Sequence, residues 1–502
     1  MVLAYELTAR ILFPWDFYMW AESTFLTNML KIRSGVPIYG NPADGNSFLY
    51  SPGLEFVTYG LLAPFGAALD IRACRAVSVL LCVAAVVTGG FAASEVAADT
   101  RTAARRFKGI FSAVSLLVLF RGFSADVPHP DNLHIFHFAV AFGLTSAALR
   151  TKRFGLATVA ALWAGFGVLT KQTAAPTVVG VIAILLLEGP SDWRTTSRLI
   201  AIPLVGALSL ALCVGAVFAT QYGRLYLFTV PTSEVIMSIK IPMLLREFTE
   251  PYRLIPTLLL LPVAAIFFRA GRVERRYLVT WLFVGACAAM PNVLAYLKIG
   301  GGANNLRVAD FWLLLLVLPG IFRLSETARA PLRIAATLSI AAIALAAFPI
   351  RLPPSARMYA YGREFDESIG KDVHDGAKRI LVAHETMPLI RNGILDPPLD
   401  RAVSIAELGW AGKSALGDLE RRIRSGYYDR LYMNWDGPYG APLLKLIDDN
   451  YREVATIPAY WAPARGSASF FDRNFGVYDG EPYGYQGGMM GSIRVMAPRR
   501  GQ

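Results

Sequence analysis

The sequence predicts a polytopic α-helical membrane protein, with juxtamembrane helices at the outer face and a C-terminal extracytoplasmic α/β domain. Three observations carry this. The chain is 54% hydrophobic and only 17% charged, where soluble domains carry about 25%. Apolar runs of spanning length recur between residues 76 and 349. Beyond about residue 350 the charge rises and no such run appears.

Ten spans are expected, near 76–98, 107–123, 133–150, 154–171, 174–188, 198–220, 252–269, 276–298, 308–323 and 331–349. Several fall short of the ~20 residues a straight crossing needs. Their loops alternate in charge. The loops at 99–108, 150–153, 188–198, 269–276 and 323–333 hold 16 Lys and Arg, and the opposite set holds 6. The richer set is therefore cytoplasmic. The net charge of +12 is thus a topology signal and not the footprint of a nucleic-acid partner. Cys74, Cys82, Cys213 and Cys287 lie in apolar stretches and read as small buried hydrophobes.

This orientation places residues 1–75 outside as a first loop, 76–349 in the membrane and 350–502 outside again. The stretch 52–69 is apolar enough to span, but a span there would invert every later loop, so it is expected to lie on the outer surface. An outer N-terminus normally follows a span, and residues 1–15 are too short for one; the expectation is an upstream start or a missing first helix. In the C-terminal region, 379–383 and 429–435 read as strands and 415–426 and 441–451 as helices, an α/β alternation.

Four constellations carry chemistry. WDFYMWAES at 15–23 sets Asp16 and Glu22 among aromatic residues at a membrane surface. A carboxylate there is costly and is kept for chemistry or ion pairing. Asp16 is equally placed to cap the helix that follows. SADVPHPDN at 124–132 holds Asp126, His129 and Asp131 within six positions. Such ligand types hold a divalent metal, and the same pattern also starts a helix. LTKQTAAP at 169–176 breaks two apolar stretches with Lys171 and Gln172. A lysine with nearby donors suits a phosphate, although a boundary lysine also snorkels. GGANNLRVADF at 301–311 offers Asn304, Asn305 and Arg307 to a diphosphate or sugar, or forms a turn with Arg307 as an interfacial anchor.

Taken in order, these features resemble a known family. The outer acidic segment is followed by Gly35-x-Pro37-x-Tyr39, Tyr50-x-Pro52, the Phe65-Gly66 step and an Arg opening a span (Arg72 or Arg75). Asp131 before a span and the Thr170-Lys171-Gln172 step come after. The set resembles the C-type membrane glycosyltransferase superfold, which includes protein O-mannosyltransferases and aminoarabinose transferases, over roughly residues 15–325. The resemblance implies transfer of a sugar from a polyprenyl-phosphate donor to a lipid, glycan or protein acceptor on the extracytoplasmic face of the inner membrane, with inversion. It implies Asp16 as base or acceptor-orienting group, and Glu22, Tyr50, Asp126 and Asp131 in support. Lys171, Gln172 and Arg307 are the donor-phosphate ligands it implies. Asp16 lacks the adjacent Glu that some relatives carry, which leaves a metal requirement open. The rival reading is a lipid-linked-sugar flippase or transporter. Transporters place ionisable groups near the bilayer midplane, whereas here they gather at span ends.

Overall fold

A computed structural model describes residues 2–41 apart from 17 and 19, then 50–121, 125–229, 236, 238, 240–298, 302–348, 354, 356–382, 386–395, 417–434, 440–458 and 493–499. Helices α1 (Val2–Ile11), α2 (Trp20–Ser34) and α3 (Gly53–Leu62) precede the bundle. The bundle runs α4 (Ile71–Ala97), α5 (Arg101–Arg121), α6 (Pro130–Thr151), α7 (Phe154–Gly165), α8 (Thr177–Glu188), α9 (Thr196–Phe218), α10 (Lys240–Thr249), α11 (Pro251–Ala270), α12 (Arg272–Tyr296), α13 (Arg307–Thr327) and α14 (Ala330–Ala346).

Each of the ten expected spans falls on a helix. Among the described residues, six helices are long and apolar enough to cross a membrane. The apolar helices at 154–170, 172–188 and 330–346 are shorter, and α5 opens on a basic turn. The pattern of exposure fits a lipid environment. In α13, Arg307 through Phe322 are buried without a break, as expected of a helix apolar on all sides. By contrast α9 and α11 leave Leu204, Leu208, Leu212, Leu258 and Leu261 exposed. Helix α3 buries Leu54, Glu55 and Thr58 and exposes Phe56, Val57 and Leu61. It is a separate short helix with an apolar outward face, not part of a span. The four cysteines are free; Cys74, Cys82 and Cys213 are buried.

The C-terminal region holds α15 (Ala356–His374), β1 (Ile380–Val382), α16 (Met387–Arg391), α17 (Gly417–Arg424), β2 (Arg430–Asn434), α18 (Gly440–Asn450), β3 (Tyr451–Ile457) and β4 (Ile493–Pro498). The two expected strands are β1 and β2 and the two expected helices α17 and α18, while α15, α16, β3 and β4 were not expected. The sheet order is β1-β2-β4-β3. The β1–β2 pair is parallel, with Leu381 opposite Leu431; β4 is antiparallel to both neighbours. Strand β4 follows a Gly- and Tyr-rich stretch without periodicity, so it was not legible in the sequence.

One apolar cluster joins this region to the N-terminal segment. It packs Phe13, Trp15, Leu26 and Met29 with Met358, Tyr361, Phe365 and Met387.

Candidate active site

Most of the polar groups singled out from the sequence gather at one end of the bundle, in three buried clusters. The first is built around Asp131. Helix α6 starts with Pro130 at its first position and Asp131 in its first turn, where a carboxylate complements the helix dipole. Lys171 Nζ approaches Asp131 Oδ1 at 2.5 Å, and His129 Nδ1 approaches Oδ2 at 2.8 Å. Asn304 Nδ2 donates to Oδ2 at 2.9 Å, and Lys171 also donates to Asn305 Oδ1 at 2.7 Å. Lys171 is buried, so it is held as an ion pair and does not snorkel. Its position comes from a break in the chain: α7 and a single turn at Gly167–Thr170 end, Lys171 is extended, and a 3-10 turn at Gln172–Ala174 follows. Gly167 permits that break. A Cβ there would lie 2.8 Å from the Ala174 carbonyl oxygen and 2.9 Å from His137 Cε1. His134, one turn along α6, is buried, and neither ring nitrogen has a hydrogen-bond partner among the described residues.

Arg307 borders this cluster. Its Nη1 donates to Asn132 Oδ1 at 2.6 Å and its Nη2 lies 3.5 Å from Cys82 Sγ. It is fully buried, a strut between α4, α6 and α13 and not an interfacial anchor. Nearby, Arg253 pairs with Asp310 at 2.7 Å and fixes α11 to α13.

The second cluster ties the N-terminal segment to the bundle. Arg75 Nε and Nη2 donate to the two Glu22 oxygens at 2.6 and 2.8 Å. Its remaining protons go to the carbonyls of Arg10, Phe13 and Trp15. Arg10 pairs with Asp126. The Arg10 and Arg75 guanidiniums lie 4.1 and 4.4 Å from the Tyr18 ring centre. Glu22 therefore serves to neutralise a buried cation.

The third cluster holds Asp16. It is fully buried, and its carboxylate accepts from the backbone N–H of Thr386 at 2.7 Å and of Met387 at 3.2 Å. Asp16 thus does not cap α2, which starts four residues later; it meets the C-terminal region. Tyr50 lies apart from these clusters, where its carbonyl accepts from Tyr39 Oη at 2.9 Å. Gln172 sits half-buried beside Lys171. Further along α3, burial pushes the Glu55 carboxyl up to about 8, with Lys31 the nearby cation.

The metal expectation for Asp126, His129 and Asp131 is not met. Among the described residues, no group of three His, Cys, Asp or Glu side chains is arranged to hold a metal. The physical reason is that these carboxylates are already engaged: Asp126 is paired with Arg10, and Asp131 is paired with Lys171 and contacted by His129.

Sequence reasoning named the members of the Asp131 cluster but could not pair them. It missed Arg10, Glu55, His134 and Thr386.

This arrangement, a polytopic bundle with polar clusters at one end and an α/β region packed against the N-terminal segment, is a fold already seen in solved structures. The structure of ArnT from Cupriavidus metallidurans bound to undecaprenyl phosphate is similar to it. The match covers 90% of this chain and 94% of that one, with 13% identity and a TM-score of 0.55. The apo form of the same protein aligns over the same shares with a TM-score of 0.49. No family model and no curated protein matches the sequence.

Proposed function

We propose that this protein transfers a sugar from a polyprenyl-phosphate donor to a hydroxyl acceptor at the extracytoplasmic face of the membrane. The observation that carries the reading is the buried Lys171–Asp131–Asn305 cluster, set at one end of a bundle whose similar structure binds undecaprenyl phosphate. Two of the three ammonium protons of Lys171 point to Asp131 and Asn305. The third is available to a phosphate oxygen. Asp131 orients the amine, while Gln172 and Arg307 border the same position.

The chemistry is a single displacement. The acceptor oxygen bonds to the anomeric carbon as the bond from that carbon to the phosphate oxygen breaks, which inverts the centre. The acceptor proton passes to the Asp16 carboxylate, the general base. The leaving lipid phosphate needs charge stabilisation more than a proton, and Lys171 supplies it. The apolar outward face of α3 offers one wall for the polyprenyl tail.

The test uses purified protein and undecaprenyl phosphate. Lys171→Met is expected to weaken binding about tenfold or more, the order of one charge-assisted hydrogen bond. Unchanged binding with a normally folded variant sinks the donor assignment. Asp16→Asn is expected to abolish release of polyprenyl phosphate from a sugar-loaded donor and to leave lipid-phosphate binding intact.

A further inference from the structure

A base must touch the proton it takes, and Asp16 is sealed from solvent. The groups that close on its carboxylate are the backbone N–H groups of Thr386 and Met387. We infer that the Thr386–Arg391 segment is a movable cover over Asp16, and that an acceptor hydroxyl reaches the carboxylate only when this cover lifts. The inference rests on Asp16 being the base.

The contacts separate a fixed side from a movable one. Trp15 and Asp16 belong to the fixed side. The Trp15 indole lies so close to Gly362 of α15 that a Cβ there would fall 2.4 Å from the ring. Trp15 Nε1 also donates to Asp366 Oδ2 at 2.9 Å. The preceding segment is gripped by Arg75 through the Phe13 and Trp15 carbonyls.

The cover meets α2 through the Thr386 hydroxyl and through Met387, which packs in the same apolar cluster as Leu26 and Met29. The Thr386 hydroxyl donates to the Ser23 carbonyl at 3.1 Å and lies 3.1 Å from the Thr27 hydroxyl. Its far end is tied to α15, not to α2: Arg391 Nε pairs with Asp366 Oδ2 at 2.8 Å, and Asn392 Nδ2 donates to the Asp366 carbonyl at 3.2 Å. Lifting the Thr386 end costs two charge-assisted hydrogen bonds to Asp16, the Thr386 latch and the apolar packing of Met387 against α2. An acceptor hydroxyl donating to the same carboxylate restores part of that loss. Exclusion of water from the base until an acceptor arrives also protects the donor from hydrolysis.

The hydroxyl pair marks where the cover can be locked. A Thr27→Cys/Thr386→Cys protein places two thiols where hydroxyls already sit 3.1 Å apart, within reach of a disulfide. The oxidised protein, with closure verified by mass spectrometry, is expected to lose at least about tenfold in release of polyprenyl phosphate. Reductant should restore it, and each single variant should respond to neither treatment. Full turnover by the verified oxidised protein overturns the cover. Thr386→Val, which removes the latch and keeps the N–H, is expected to raise turnover about twofold or more; an unchanged or lower rate also overturns it. If Asp16→Asn itself transfers sugar normally, the base assignment has failed, a result independent of the lock.

Discussion

At the scale of single residues, burial decides what each charge does. Arg75 uses all five guanidinium protons inside the protein, on Glu22 and three carbonyls. Arg75→Ala strands a buried Glu22 and is expected to cost about 3–5 kcal/mol, read as loss of folded protein in detergent. Arg75→Lys should not rescue it, because an ammonium lacks the planar fork. Glu55 makes a prediction in pH. Its carboxyl is pushed from 4.5 up to about 8 by burial. Between those values the folded protein keeps a proton that the unfolded chain gives up. The stability so gained is full below about 4.5 and is lost as pH rises through 8. At about 1.4 kcal/mol per unit, the loss is on the order of a few kcal/mol. Melting temperature should fall between pH 5 and pH 8.5, and Glu55→Gln should flatten the slope. An equal slope in the variant would refute the assignment.

At the scale of elements, the break between α7 and α8 is the piece on which the site depends. An apolar stretch of that length would otherwise run as one helix and carry Lys171 along it. The turn at 167–170 and the extended Lys171 instead direct the amine to Asp131 and Asn305. Gly167→Ala puts a methyl against the Ala174 carbonyl and the His137 ring. It is expected to cost about 1–3 kcal/mol by overpacking and to weaken undecaprenyl phosphate binding along with stability. Gly109→Ala, on α5 with nothing within 4 Å of the new methyl, should be neutral or stabilising. If the two variants behave alike, the break does not position the site. The same segment shows how far the sequence could be read. That 169–176 interrupts two apolar runs is plain from the letters; that Lys171 turns inward to a carboxylate is not, because the partner sits forty positions earlier.

At the scale of the whole molecule, the charge alternation of the loops predicts which end of the bundle faces out. Vesicles of known orientation test it. Ser425 and Arg272 are both exposed. Ser425→Cys should react with an impermeant maleimide in right-side-out vesicles, and Arg272→Cys only in inverted ones. The reverse pattern would place the polar clusters on the cytoplasmic side and remove the extracytoplasmic assignment. The joining of the two ends of the chain was not legible at all. Asp16 meets Thr386, and Trp15 meets Asp366. Contacts between residues some 350 positions apart leave no mark in local composition or periodicity.

What the sequence determined by itself is therefore what local chemistry encodes: apolar length sets the helices of the bundle, loop charge predicts their direction, and period marks two of the strands and two of the helices after 350. Even the candidate site residues were visible, since a carboxylate or lysine at a span end is costly enough to stand out. Only the tertiary structure decided their pairing: Asp131 with Lys171, Glu22 with Arg75, Asp126 with Arg10, and Asp16 with the Thr386 and Met387 backbone. The reason is electrostatic. A buried charge must be neutralised by whichever partner the fold brings within a few ångströms, and that choice depends on packing across the whole chain and not on neighbours in sequence.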